Sequence, residues 1–184
     1  MLHTSYIELD GAALNANIKF LKSLLPPSTK FSMVVKANAY GHGIEDLLPM
    51  IEDCGVDHFS VFSLAEAMRV QECMRENSDV MILGFVDDDY LDWVIDKGLS
   101  FYVFTLERLQ ATIEAARQAG RPARIHIELE TGMHRTGFCE DQLPRIWQLI
   151  QDNREHLQIE GLCTHYAGAE DFAVHDRIKE QVAT

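Results

Sequence analysis

Phe31-Ser-Met-Val-Val35, running into Lys36-Ala-Asn-Ala-Tyr-Gly-His-Gly43, is the stretch from which the fold can be read outward. Its first five residues suit a buried strand, and the small residues and glycines after Lys36 suit a turn. A helix is expected over 44–54, then a second strand over His58–Phe62. The interval repeats along the chain. Strands at Val80–Leu83, Ser100–Phe104, Arg124–Leu129 and Ile159–Cys163 alternate with helices near 64–75, 89–97, 106–119 and 142–153, and a last helix is expected from about Phe172. Upstream, Tyr6–Leu9 reads as a short strand. Asp10 reads as the N-cap of a helix that puts Leu14, Ile18, Leu21 and Leu25 on one face and ends at Pro26-Pro27.

Strands alternating regularly with amphipathic helices specify an α/β fold with parallel strands. Two architectures take such units: a doubly wound sheet and a TIM-type barrel of eight βα units. No G-x-G-x-x-G follows the first strand, so the barrel is favoured. No linker interrupts the series, so residues 1–184 are expected to form one domain. A closed barrel has about eight strands and six are counted, so the barrel is expected to be incomplete and the chain a fragment.

The composition narrows the function class. With 47% hydrophobic and 24% charged residues, the 184-residue chain resembles a soluble globular protein. Its formal net charge of −13 repels phosphate backbones and anionic lipid, so neither nucleic acid nor a membrane is an expected partner. No apolar run approaches the roughly 20 residues that span a bilayer, and Met1–Glu8 lacks the features of a signal peptide, so a cytoplasmic location is expected. Cys54, Cys73, Cys139 and Cys163 form no C-x-x-C pair. That disfavours a metal site or disulfide framework and leaves reduced, mostly buried thiols as the expectation.

Strand alternation places Lys36 on the face of Ser32 and Val34, at the strand's C-terminal end. Barrel enzymes build their active sites at that end. An amine there loses hydration, which favours its neutral, nucleophilic form. The plainer alternative is a lysine snorkelling to the rim. The turn that follows supplies glycines, which admit a ligand close to the backbone, and Tyr40, whose hydroxyl can donate to a phosphate. On the fifth strand, His126, Glu128 and Glu130 alternate with Ile125, Ile127 and Leu129, so three ionisable groups are expected on one inner face. Arg135 can reach back to a carboxylate there while offering its other N–H groups to an anionic ligand. His165 ends the sixth strand; alone, it reads more readily as a satisfied core histidine than as a site residue. His42 is a loop histidine with a weaker case.

Val34-Val-Lys-Ala-Asn-Ala-Tyr-Gly-His-Gly43 resembles the cofactor-attachment signature of the alanine racemase family. Glu130-Thr-Gly-Met-His-Arg-Thr-Gly-Phe138 resembles that family's second motif and Cys163-Thr-His-Tyr-Ala167 its third, in the same order. The resemblance implies a pyridoxal 5'-phosphate enzyme that interconverts L- and D-alanine. Lys36 would be the cofactor-bearing lysine and one of two acid/base groups, and Tyr40 would contact the cofactor phosphate. Arg135 would bond the cofactor's phenolic oxygen and orient the substrate carboxylate, and His165 would support the polar network around the ring. Glu128 stands where many members carry a lysine, and Glu130 replaces the usual aspartate. The resemblance also implies a homodimer for the full-length protein and a second base from a C-terminal β-domain with no counterpart here. The 184-residue chain alone is therefore expected not to racemise alanine. The rivals are a pyridoxal-phosphate carrier without catalysis and a racemase of another amino acid.

Overall fold

Short apolar runs between turn residues become parallel strands here because each finds a neighbour in register. The computed structural model describes residues 5–168 and 175–184. Contacts group the chain into two compact units, Met1–Gly84 and Phe85–Thr184.

In the first unit, Asp10 caps α1 (Gly11–Ser23) as expected, its carboxylate accepting from the N–H groups of Ala12 and Ala13 at 2.9 and 3.0 Å. Ile18 is the residue α1 buries; Leu21 and Leu25, expected on the same inward face, stay 46% and 37% exposed. The strand expected at Tyr6–Leu9 does not form. That segment alternates correctly but pairs with no strand among the described residues, and Tyr6 is 87% exposed. β1 is short, Met33–Val34, and pairs in parallel with β2 (His58–Val61), which pairs with β3 (Asp79–Ile82). All four residues of β2 are buried, as expected of a parallel strand covered on both faces. α2 (Ile44–Asp53) contributes Ile44, Leu48 and Ile51 to the core, and α3 (Leu64–Cys73) contributes Ala67 and Val70. α3 starts at a reciprocal capping box between Ser63 and Glu66.

The second unit repeats the pattern with α4 (Leu91–Asp96), β4 (Ser100–Val103), α5 (Leu106–Ala119), β5 (Ala123–Glu128), α6 (Leu143–Asp152), β6 (Leu157–Cys163) and α7 (His175–Ala183). β4, β5 and β6 pair in parallel in chain order. Phe101, Val103, Leu109, Ile113, Ile125 and Ile127 form its core. A bulge between Ile125 and His126 sets His126 opposite Gly161, leaving Glu160 to pair with Arg124 at 2.6 Å. The last helix is described from His175; its expected start near Phe172 lies outside the described residues. Among the described residues no helix is long and apolar enough to cross a membrane. All four cysteines are free; Cys139 is exposed and the other three only partly covered, short of the burial expected of them.

Candidate active site

In the first unit the site grows from the end of β1. Val35 continues the ladder, its N–H donating to Ser60 O at 2.9 Å, and Lys36 follows, half-buried. The face assigned to Lys36 from strand alternation is lined by small polar groups. Ser32 Oγ meets Ser60 Oγ at 2.6 Å and His58 Nδ1 at 2.7 Å.

The chain then does something the sequence does not announce. Ala37, Asn38, Ala39 and Tyr40 all have positive φ, between 51° and 56°, so they form one turn of left-handed helix. None is glycine. The left-handed conformation costs an L-residue roughly 1–2 kcal/mol, so the surroundings must hold it. They do so from α3. Glu66 Oε1 accepts the Ala37 N–H at 2.7 Å, while its Oε2 accepts those of Phe62 and Ser63 at 2.9 and 3.2 Å. Arg69 Nη2 donates to Asn38 Oδ1 at 2.7 Å, and that oxygen also accepts the Ile44 N–H at 3.2 Å. Arg69 is itself held by a two-point contact with Glu45, Nε and Nη2 each at 2.7 Å from a carboxylate oxygen. Those hydrogen bonds keep the Glu45 carboxyl below the usual range and the guanidinium above its own. Tyr40 leaves the turn 61% exposed, and His42 turns Nδ1 back to Ala39 O at 2.8 Å. Residues Glu66 and Arg69 went unnoticed in the sequence; the S-x-x-E spacing of the capping box was the available signal for Glu66.

In the second unit the inner face of β5 differs from expectation at one position. Glu128 is 3% exposed and His126 half-buried, its ring 5.9 Å from that of Tyr102 on β4. Glu130 does not join them, because β5 ends at Glu128 and the alternation ends with it. Its carboxylate instead takes the backbone N–H groups of Gly132, His134 (2.7 Å) and Arg135 (3.3 Å). Partial burial pushes this carboxyl up, but the three N–H donors outweigh that and leave it below the usual range. The loop closes on itself: Phe138 N–H donates to Glu128 O at 2.8 Å, and Glu130 N–H to Phe138 O at 3.0 Å. Gly137 permits the closure, since a Cβ there would lie 2.6 Å from Glu130 N.

Arg135 therefore reaches Glu130 through its backbone rather than its side chain. The guanidinium is exposed and pairs with no carboxylate among the described residues. His165 is exposed too, which removes the core-histidine reading. Gln181 of α7, unnoticed in the sequence, ties the two motifs of this unit together. It is 3% exposed, its amide NH₂ donates to His165 O (2.9 Å) and Thr131 Oγ1 (3.2 Å), and its Oε1 accepts the Ala167 N–H (2.9 Å). Thr131 and Thr164 add a 2.6 Å hydroxyl contact. Lys36 thus precedes, and Tyr40 ends, one left-handed turn of the first unit, and Arg135 and His165 lie on linked loops of the second.

Burial pushes the Cys163 thiol up to about 11, the Tyr102 hydroxyl opposing the shift and the Glu128 charge adding to it. Burial also moves Tyr102 well above an ordinary phenol, reinforced by Cys163 and Glu128. At neutral pH this group of side chains is a neutral thiol and a neutral phenol beside a carboxyl, so Cys163 is not a thiolate nucleophile. Among the described residues no His, Cys, Asp or Glu cluster has the geometry of a metal site.

Comparison with known proteins bears on the family and the fold. The sequence matches the family described as alanine racemase, N-terminal domain, over residues 9–184. It is 34% identical over 170 residues to an alanine racemase of Listeria monocytogenes serotype 4b (strain CLIP80459), covering 91% of this chain and 44% of that protein. With the alanine racemase of Helicobacter pylori strain G27 it shares 32% over 180 residues, 97% of this chain and 47% of the relative. The crystal structure of the E. faecalis alanine racemase superposes with a TM-score of 0.83 at 30% identity, over 95% of this chain and 47% of that one. The chain spans about half the length of the relatives it matches, and its α/β fold is that of part of their TIM-type barrel. The chain belongs to the alanine racemase N-terminal domain family.

Proposed function

We propose that this chain carries the cofactor lysine of an amino-acid racemase that uses pyridoxal 5'-phosphate and interconverts L- and D-alanine. The single observation behind the reading is Lys36, half-buried where β1 gives way to a braced left-handed turn. The residues suit the group in their chemistry. The first unit offers a primary amine for an aldehyde and a phenol for a phosphate; the second offers a guanidinium that pairs with no carboxylate among the described residues, and an exposed imidazole. When bound, the cofactor supplies a conjugated ring that accepts the electron pair left at Cα after the proton departs.

The roles of the chain's own groups follow. Lys36 Nζ attaches the cofactor and then holds or returns a proton at the substrate Cα. Inversion needs a proton removed from one face and delivered to the other, so a second acid/base group must stand opposite. Tyr40 donates its hydroxyl to the phosphate. Arg135 serves the phenolic oxygen and the substrate carboxylate, two anions that a five-donor guanidinium can bridge. His165 supports the ring's polar network. The small-molecule substrate, a cytoplasmic location and a homodimer of the full-length protein belong to the same reading; the free cysteines support the location.

Adding pyridoxal phosphate to the purified chain should produce a visible absorbance band that Lys36→Ala abolishes. Chiral analysis after adding L-alanine then decides turnover. Binding without D-alanine is the outcome expected of this chain alone, since no group of its own has been assigned as the second base; D-alanine formed by the chain alone would contradict that expectation. No band at all contradicts the proposal.

A further inference from the structure

We infer that Arg69, with Glu66 beside it on α3, is a positioning residue for Lys36, acting as a brace that holds the left-handed turn Ala37–Tyr40. This rests on the reading of Lys36 as the cofactor lysine. Neither residue belongs to the attachment motif, and among the described residues no hydrogen bond or ion pair joins either to the lysine. Glu66 fastens the backbone N–H of Ala37 immediately after it, and Arg69 the side chain of Asn38, the next residue on.

The geometry argues for a brace rather than a surface ion pair. An exposed Arg–Glu contact alone contributes little, because two long side chains must be ordered against solvent screening. Arg69 does more than pair with Glu45. Held there by two 2.7 Å contacts, it also donates from Nη2 to Asn38 Oδ1, again at 2.7 Å. Asn38 is inside the strained turn at φ 56°, and its side-chain oxygen simultaneously takes the Ile44 N–H that opens α2. Glu66 fixes the turn's other end through the Ala37 N–H at 2.7 Å. The turn's internal bonds, Gly41 N–H to Ala37 O at 3.0 Å and Gly43 N–H to Asn38 O at 3.0 Å, close only while the left-handed conformation persists. Four successive non-glycine residues with positive φ have no intrinsic reason to stay there. Releasing Arg69 would let the turn relax toward ordinary backbone angles, carrying Lys36 and Tyr40 away from their positions.

The test compares the parent chain with Arg69→Ala, Ala37→Gly and the double variant. Glycine occupies the left-handed region without a Cβ penalty, so Ala37→Gly lowers the strain that the brace opposes. Pyridoxal-phosphate affinity is read by absorbance titration, amide hydrogen exchange at Gly41 is read without cofactor, and urea midpoints establish that every variant folds. Arg69→Ala should weaken affinity about tenfold and speed Gly41 exchange by a similar factor. Exchange in β2 should stay unchanged. Adding Ala37→Gly should recover most of both losses, which an arginine acting through its charge alone would not allow. Unchanged affinity and exchange in Arg69→Ala overturn the inference. So does weakened affinity that Ala37→Gly fails to rescue, or that comes without faster Gly41 exchange. Should the parent chain bind no cofactor at Lys36, the racemase reading fails separately, and Gly41 exchange alone then decides the brace.

Discussion

Replacing Gly137 with alanine should cost far more than replacing Gly120, although both glycines have positive φ. At Gly120, the C-cap of α5, φ is 66° and a Cβ would meet nothing within 4 Å. The change there is left-handed strain of roughly 1–2 kcal/mol, partly offset by the reduced freedom of the unfolded chain, or about 1 kcal/mol net. At Gly137, φ is 118° and the new Cβ would lie 2.6 Å from Glu130 N and 2.7 Å from Leu129 C. Those are backbone atoms at the root of the loop, so no side chain can rotate aside. Backbone strain of roughly 1–3 kcal/mol adds to an overpacking cost of similar size, and about 3 kcal/mol remains after partial relaxation. With a urea dependence of about 2 kcal/mol per M, the unfolding midpoint should fall by ~1.5 M for Gly137→Ala and ~0.5 M for Gly120→Ala. The first variant should also weaken pyridoxal-phosphate binding, because the loop carries Arg135. Equal midpoint shifts would refute the reasoning, showing that the loop closure between Glu128, Glu130 and Phe138 is not a rigid feature of the fold.

The remaining predictions concern single side chains. Glu130 has a folded-state pKa below its unfolded value near 4.3, so its stabilisation is complete above that value and disappears as pH falls through the lower one. Urea midpoints should therefore drop more steeply on acidification for the parent chain than for Glu130→Gln, with a constant gap above about pH 5; parallel curves would count against the loop contacts. Gln181→Ala strands the buried Ala167 N–H and two partly buried partners that it now satisfies and should cost about 1–3 kcal/mol, seen as a lower melting temperature; an unchanged melting temperature would remove Gln181 as the tie between Thr131 and His165. Iodoacetamide at pH 8 should modify exposed Cys139 well before Cys163, whose thiol is pushed up to about 11, and peptide mapping that found Cys163 reacting first would contradict its burial.

The layout of strands and helices was readable because short β-branched runs and capping residues act locally. Asp10 caps α1 through its own neighbours, as its place ahead of the helix indicated; Thr105 does the same for α5, although it went unnoticed in the sequence. Tyr6–Leu9 misled because alternation states how a segment would lie in a sheet, not whether a partner strand exists. Glu130 misled because the two-residue period holds only while the strand continues, and β5 ends two residues earlier. The left-handed turn was hidden for a different reason. Its positive-φ residues are alanine, asparagine and tyrosine rather than glycine, and what holds them is Glu66 and Arg69, 29 and 31 positions away from the groups they bond. Gln181 is further off still, 50 residues from Thr131. Side chains that act at such range leave no periodic signature. The motif residues Lys36, Tyr40, Arg135 and His165 were recognisable as a set, but the polar contacts that hold their backbone required coordinates.

Peptide mapping after borohydride reduction addresses the central claim most directly. The chain, mixed with pyridoxal phosphate and reduced, should carry one pyridoxyl group, found on the peptide containing Lys36. A modification spread over surface lysines such as Lys19 and Lys97, with Lys36 unlabelled, would contradict the account.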